Sequence, residues 1–159
     1  MTASHSKNVL VVYATNSGNT FFVAERVADT LREQGVRVCL QAVGETSLKD
    51  FDAYDTIIIG SCTWNKKTEL AKVEEGQLQD QMDMFVQHTP DGALAGKKIA
   101  IFGLGDKDYQ YFCRAADCLE QFVLRTDGAP IASTLRINGF PQTQTSLIDT
   151  WVGSLVKVI

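Results

Sequence analysis

The stretch Val9–Thr20, VLVVYATNSGNT, constrains the fold of this chain more than any other. Its apolar run stops abruptly in glycine and in small hydroxyl- and amide-bearing residues. Val9–Tyr13 is too short and too β-branched for a helix, and reads as a strand buried on both faces. Thr15, Asn16, Ser17, Gly18, Asn19 and Thr20 are turn and N-cap types. Ala24, Val27, Ala28 and Leu31 then fall at i, i+3, i+4 and i+7, the period of an amphipathic helix. A strand, a hydroxyl-rich loop and a helix start together make an anion site. The helix offers free N–H groups and a partial positive charge, and the hydroxyls add donors.

Two familiar phosphate loops are excluded. A Walker A loop ends in Gly-Lys-Ser/Thr, and this one has Gly18-Asn19-Thr20 with no lysine. A dinucleotide fingerprint needs three spaced glycines, and only Gly18 is present. Taken alone, the segment reads equally well as an ordinary capped strand-to-helix turn.

The rest of the chain repeats the alternation. Gly35 is a suitable helix-ending residue, and Val36–Val43 reads as a second strand, followed by a polar connection with one helical turn at Leu48–Phe51. Thr56–Ser61 is a third strand, Asn65–Gly76 a long polar stretch and Gln77–Gln87 a helix with Leu78, Met82, Phe85 and Val86 inward. Thr89–Gly96 reads as a loop and Lys97–Phe102 as a fourth strand. A helix follows with Phe112, Ala115, Ala116, Leu119 and Val123 on one face. Pro130–Ile137 is the fifth strand, and the last helix buries Ile148, Trp151, Val152 and Leu155. Five strands alternating with helices predict an α/β fold, a parallel doubly wound sheet in one domain spanning residues 1–159.

Composition narrows the partners. Fifteen basic against nineteen acidic residues give a net charge of −4, which disfavours nucleic acid and anionic membranes. No apolar run approaches ~18 residues, so no transmembrane helix is expected, and MTASHSKN at the start lacks a signal-peptide core. Cys39, Cys62, Cys113 and Cys118 form no CxxC pair and only two histidines are present, so no metal site is expected. Reduced thiols in the cytoplasm are the plain reading.

Doubly wound sheets bind ligands at the carboxyl ends of their strands. That selects three loops, Ala14–Thr20, Ser61–Asn65 and Gly103–Tyr109. The second places Trp64 where no core would need it. The third has glycines that let the backbone approach a ligand, and Tyr109 is a second aromatic at the rim. One anion site and two aromatics from separate loops suit a flat ring carrying a phosphate tail.

Here a resemblance becomes specific. Thr15-Asn16-Ser17-Gly18-Asn19-Thr20 resembles the phosphate loop of flavodoxins, Thr63-Trp64-Asn65 their second flavin loop and GLGDKDYQYFC (Gly103–Cys113) their third. The spacing matches across nearly the whole chain, in the manner of the short-chain type. The resemblance implies a three-layer sandwich with sheet order 2-1-3-4-5 and non-covalently bound FMN. It implies that residues Thr15 to Thr20 hold the phosphate, with Ser61, Cys62 and Thr63 beside it. Trp64 would cover the inner flavin face, with Asn65 following it, and Tyr109 the outer face. Gly105, Asp106 and Cys113 would meet the pyrimidine edge largely through backbone N–H groups, with Leu104 and Tyr111 flanking, and Gly103 and Phe112 would complete the cofactor site. No catalytic residue is implied. Three departures stand out: Cys62 in place of a hydroxyl or proline, Lys66, Lys67 and Lys107 beside the flavin, and the length of Asn65–Gly76.

The expected function is a low-potential, monomeric electron carrier moving single electrons between a reductase and acceptor enzymes, without substrate turnover of its own. The alternative is an FMN-dependent NAD(P)H:quinone reductase on the same fold, which needs a nicotinamide site that no segment supplies. A signalling receiver domain is set aside, because Ala14-Thr15 and Ser61-Cys62 lack the acidic residues it requires.

Overall fold

Val9, Leu10, Val11 and Val12 are all fully buried, as are Ile57, Ile58 and Ile59. Strands with no exposed face must have layers on both sides, and the computed structural model has that arrangement. It describes residues 7–67, 73–106 and 113–159, and for residues 64–67 and 73–77 the backbone alone.

The chain runs β1 (Asn8–Ala14), α1 (Asn19–Glu33), β2 (Arg37–Ala42), β3 (Thr56–Lys67), β4 (Val73–Leu78), α2 (Asp80–His88), β5 (Lys98–Gly105), α3 (Arg114–Arg125), β6 (Ala129–Pro130), β7 (Leu135–Asn138) and α4 (Thr145–Val156). The parallel strands lie in the order β2-β1-β3-β5, with β6 and β7 sharing the outer edge of β5. That is the expected 2-1-3-4-5 winding.

The alternation of side chains sorts the core into two halves. Val9, Val11, Ile58, Ala100 and Phe102 pack with Val23, Ala24, Val27 and Leu31 of α1 and with Ile148, Val152 and Leu155 of α4. Leu10, Val12, Ile57, Ile59, Ile99 and Ile101 pack on the other face with Met82 of α2 and with Ala115, Leu119 and Phe122 of α3. One sheet position requires glycine. A Cβ on Gly60 would lie 2.0 Å from the ring of Phe102, which crosses over it from the paired position on β5.

Four expectations are corrected in detail. The third strand does not stop at Ser61 but continues to Lys67, and within the stretch expected to be a polar loop β4 pairs with it antiparallel. The second helix begins at Asp80 rather than Gln77, with Gln77 and Leu78 belonging to β4. The fourth strand reaches Gly105, past the expected Phe102. The fifth strand is split: Ile99 pairs with Pro130 and Phe102 with Leu135, so three steps along β5 face five along the edge. Pro130 has no N–H to donate. Within the split, the Ser133 carbonyl accepts from Trp151 Nε1 at 2.8 Å.

Helices α1 and α4 are tied by a two-pronged ion pair. Arg26 Nε and Nη2 donate to the Asp149 carboxylate at 2.8 and 2.6 Å, and Thr30 Oγ1 lies 3.5 Å away. Hydrogen bonding from the Arg26 guanidinium holds the Asp149 carboxyl below the usual carboxylate range. A carboxylate depressed by folding contributes stability above its unfolded pKa of about 4 and loses it as pH falls through the lower folded value. Asp149→Asn is therefore expected to lower stability in urea at pH 7, with a deficit against wild type that narrows below about pH 4. A deficit equal at pH 7 and pH 3 would show that the pair is not the source.

Candidate functional site

The parallel register puts three loop starts side by side. Ala14 of β1 pairs with Ser61 of β3, and Ser61 pairs with Gly103 of β5. The chain segments leaving these positions hold the residues expected to bind the ligand.

In the first loop the turn closes on itself, with Thr15 Oγ1 accepting from Gly18 N at 2.9 Å. Gly18 has φ +91°, a left-handed conformation that favours glycine, and among the described residues nothing beyond its chain neighbours comes within 4 Å of where its Cβ would be. It precedes α1 with no side-chain cap, and the first turn of α1 carries no acidic residue. The helix start is left electropositive and open. Thr20 is 1% exposed, and its Oγ1 has no hydrogen-bond partner among the described residues. A buried hydroxyl without a partner costs about 1–3 kcal/mol, so its oxygen fits a ligand group rather than an empty core.

The second loop meets the first. Asn16 Nδ2 lies 3.9 Å from Cys62 Sγ. Burial pushes the Cys62 thiol up, while the nearby Thr20 hydroxyl acts in the opposite direction, though at no geometry that satisfies the threonine oxygen. Ser61 is fully buried and donates to the Cys62 carbonyl at 3.1 Å. Thr63 Oγ1 accepts from Ala115 N at 3.0 Å, so this hydroxyl caps α3 from across the sheet and keeps its proton for a second bond. The backbone of Trp64 and Asn65 lies at a register shift between β3 and β4. The expected roles of their side chains fall outside the described structure.

The third loop is held by close backbone packing. A Cβ on Gly103 would lie 2.7 Å from that of Ala116, and one on Gly105 2.5 Å from Cys113 N. Glycines at both positions let β5 lie against the start of α3. Leu104 is 5% exposed and packs in the core on the α1 and α4 side, so only its backbone is placed to flank a ligand. Asp106 follows β5. Tyr109, Tyr111 and Phe112 lie outside the described residues, and so do Lys107 and Asp108.

Cys113 closes this loop in a left-handed conformation, φ 50°, and is fully buried. Its S–H is shared between the Gly103 and Ile137 carbonyls at 3.6 and 3.5 Å. Arg136 Nη1 donates to the Cys113 carbonyl at 3.3 Å, while Nη2 reaches Asp117 at 2.9 Å and Glu120 at 3.1 Å. One guanidinium thus ties β7 to the loop end and to α3.

Sequence reasoning missed Gln79 and Gln142. Gln79 Nε2 donates to Asn16 Oδ1 at 3.3 Å, and Gln142 Nε2 donates to Asn19 Oδ1 at 3.2 Å. Gln79 was hidden inside the expected helix. The turn carrying Gln142 gave no signal that it would fold back onto α1. Among the described residues no cluster of His, Cys, Asp or Glu could hold a metal ion.

A sheet of this winding, with an open helix start and three chain exits side by side at its carboxyl edge, two of them bearing glycine, defines a doubly wound α/β protein of the class that binds its ligand at that edge. The flavodoxin family model matches residues 11–151. A flavodoxin of Maridesulfovibrio salexigens is 34% identical, covering 84% of this chain and 87% of that protein. One from Nitratidesulfovibrio vulgaris is 31% identical, covering 96% and 99%. The crystal structure of oxidised flavodoxin 2 from Bacillus cereus superposes with a TM-score of 0.83 at 28% identity, over 96% of this chain and 99% of that one. The chain belongs to the flavodoxin family, whose members bind FMN and carry electrons.

Burial raises the Cys113 thiol to about 11, against the opposing charge of Arg136. An acid whose pKa is raised by folding gives stability that is complete below its unfolded value, near 8.5 for a thiol, and lost as pH rises toward the folded one. Stability is expected to fall between about pH 8.5 and about pH 11, and Cys113→Ala should lessen that slope. Melting midpoints of both proteins across the window test this, and parallel curves would count against it.

Proposed function

We propose that this chain binds FMN at the carboxyl edge of the sheet and passes single electrons between a reductase and acceptor enzymes. The observation that carries the reading is the buried Thr20 hydroxyl at the open start of α1, which has no partner among the described residues. The phosphate would rest on residues Thr15 to Thr20, on backbone N–H groups and neutral hydroxyls without a lysine. Thr63 would contribute its hydroxyl proton. Gly103, Gly105 and Asp106 would present backbone to the polar edge of the ring, held against Cys113. Trp64 and Tyr109 would cover its two faces, with Asn65, Tyr111 and Phe112 adjoining.

Bound FMN supplies the reversible uptake and release of electrons. The protein's own part is to bind and orient the ring, to exclude water from its faces, and to leave one edge open. Aromatic walls in a chain of net negative charge disfavour added electrons on the flavin, which lowers its potential. No described helix is long and apolar enough to cross a membrane. We place the protein in the cytoplasm as a single-domain monomer, docking transiently through less than ~1,200 Å² as redox encounters do.

Two measurements test this. Thr15→Ala and Thr20→Ala should each weaken FMN by about 1.5–3 kcal/mol, the worth of a hydrogen bond to a charged group, and leave riboflavin nearly unaffected. Titration of both ligands into apoprotein decides it, and equal losses would refute the phosphate assignment. The holoprotein should also stay oxidised under NAD(P)H alone and bleach only when a reductase is added. Direct bleaching would mean the chain is itself a reductase.

A further inference from the structure

Gln79 lies between β4 and α2 and is 5% exposed. Its Oε1 accepts from the backbone N–H groups of Gln81 at 2.7 Å and Met82 at 3.1 Å, which makes it the N-cap of α2. Helix N-caps are ordinarily Ser, Thr, Asp or Asn, whose short side chains suffice to reach their own helix. Glutamine is a methylene longer than asparagine, and its amide also bridges to Asn16 Oδ1 at 3.3 Å.

The orientation of both amides follows from this chain of bonds. Only an oxygen can accept from the two backbone donors of α2, so the Gln79 nitrogen must face Asn16. Asn16 must then present its oxygen to Gln79. Its Nδ2 is left on the side of Cys62, at 3.9 Å, beside which the Thr20 hydroxyl also lies.

We infer that Gln79 is a positioning residue that sets the polarity of the phosphate loop, holding Asn16 with its N–H donors toward the site and its oxygen away. This rests on the reading of residues 15–20 as the FMN phosphate site. Without the tether, rotation about the terminal torsion of Asn16 exchanges oxygen for nitrogen. An amide oxygen turned toward a phosphate repels it, whereas an N–H₂ group binds it. The start of α2 thereby fixes a donor in a loop that precedes α1, with Gln79 itself making no contact to the ligand.

The test is a double-variant cycle on FMN and riboflavin binding to apoprotein. Gln79→Ser keeps an N-cap oxygen for α2 but cannot reach Asn16. It is expected to weaken FMN roughly five- to tenfold and riboflavin by less than about twofold. In an Asn16→Ala background the same substitution should add no further loss. A loss that persists undiminished in that background would overturn the inference, because Gln79 would then not act through Asn16. So would equal losses for FMN and riboflavin while Thr15→Ala still separates the two ligands. If Thr15→Ala and Thr20→Ala fail to separate them, the phosphate reading itself falls.

Gln79→Glu provides the second variant, retaining length and cap while removing the donor. It should weaken FMN without lowering the melting temperature. A lowered melting temperature with unchanged FMN affinity would reduce Gln79 to a helix cap.

Discussion

The parallel register of β1, β3 and β5 is the constraint on which the rest depends. Ala14, Ser61 and Gly103 are successive partners across the sheet, so the three chain exits start in one row. Nothing in the loops themselves could bring residues 15, 63 and 105 together. The register is secured by side chains that never approach the site: Leu10, Val12, Ile57 and Ile59 on one face, Val9, Val11 and Ile58 on the other, all fully buried. A slip of one residue would exchange the two faces of a strand. Here that would drive the Phe102 ring off Gly60, the position that accommodates it. The core therefore sets the site's geometry, and the loops supply its chemistry.

That chemistry is built from neutral parts. A lysine beside a phosphate gives a strong but undirected attraction. Helix N–H groups and hydroxyls are individually weaker, yet they are fixed in place by the backbone before the ligand arrives. Gly18, in its left-handed conformation and without a capping side chain, is what leaves the start of α1 open. Thr15 closes the turn, while Thr20 is held buried with its hydroxyl unpartnered among the described residues. On the proposed reading, a phosphate at this helix start would satisfy the Thr20 hydroxyl that the fold itself leaves without a partner among the described residues.

What the sequence revealed and what it concealed follow from one physical distinction. Val9–Val12 and Ile57–Ile59 are legible because burial on both faces permits only apolar residues, and such runs stand out. β4, VEEGQL, is poor in strand-forming residues; it is a strand because the extended β3 offers it an edge. Leu78 misled for a related reason. With Met82 and Phe85 it falls at helical spacing, and it does pack in the same core half as Met82, but from the end of a strand. Period alone cannot separate those cases. In the candidate site the first loop was legible as turn and cap chemistry. Its long-range supports, Gln79 to Asn16, Arg136 to Cys113 and Gln142 to Asn19, were not, since no local pattern encodes a contact made across the fold.

These supports share a design that bears on how the site is held. Each anchors a loop residue to an element outside its own strand–loop–helix unit: β4–α2 for Asn16, β7 for Cys113, and the turn before α4 for Asn19. A loop held only by its own two ends can rock about them. A third attachment removes that freedom and spends the ordering entropy at folding rather than at binding. Arg136 shows the arrangement most fully, because the same guanidinium that holds the Cys113 carbonyl also meets Asp117 and Glu120 one and two turns into α3. Loop end and helix then move as one body, and a displacement of β7 would be felt at Gly105 through the Gly139 N–H bonded to its carbonyl at 2.8 Å. The outer edge of the sheet, where the fifth strand is split, is in this way coupled to the loop expected to meet the flavin.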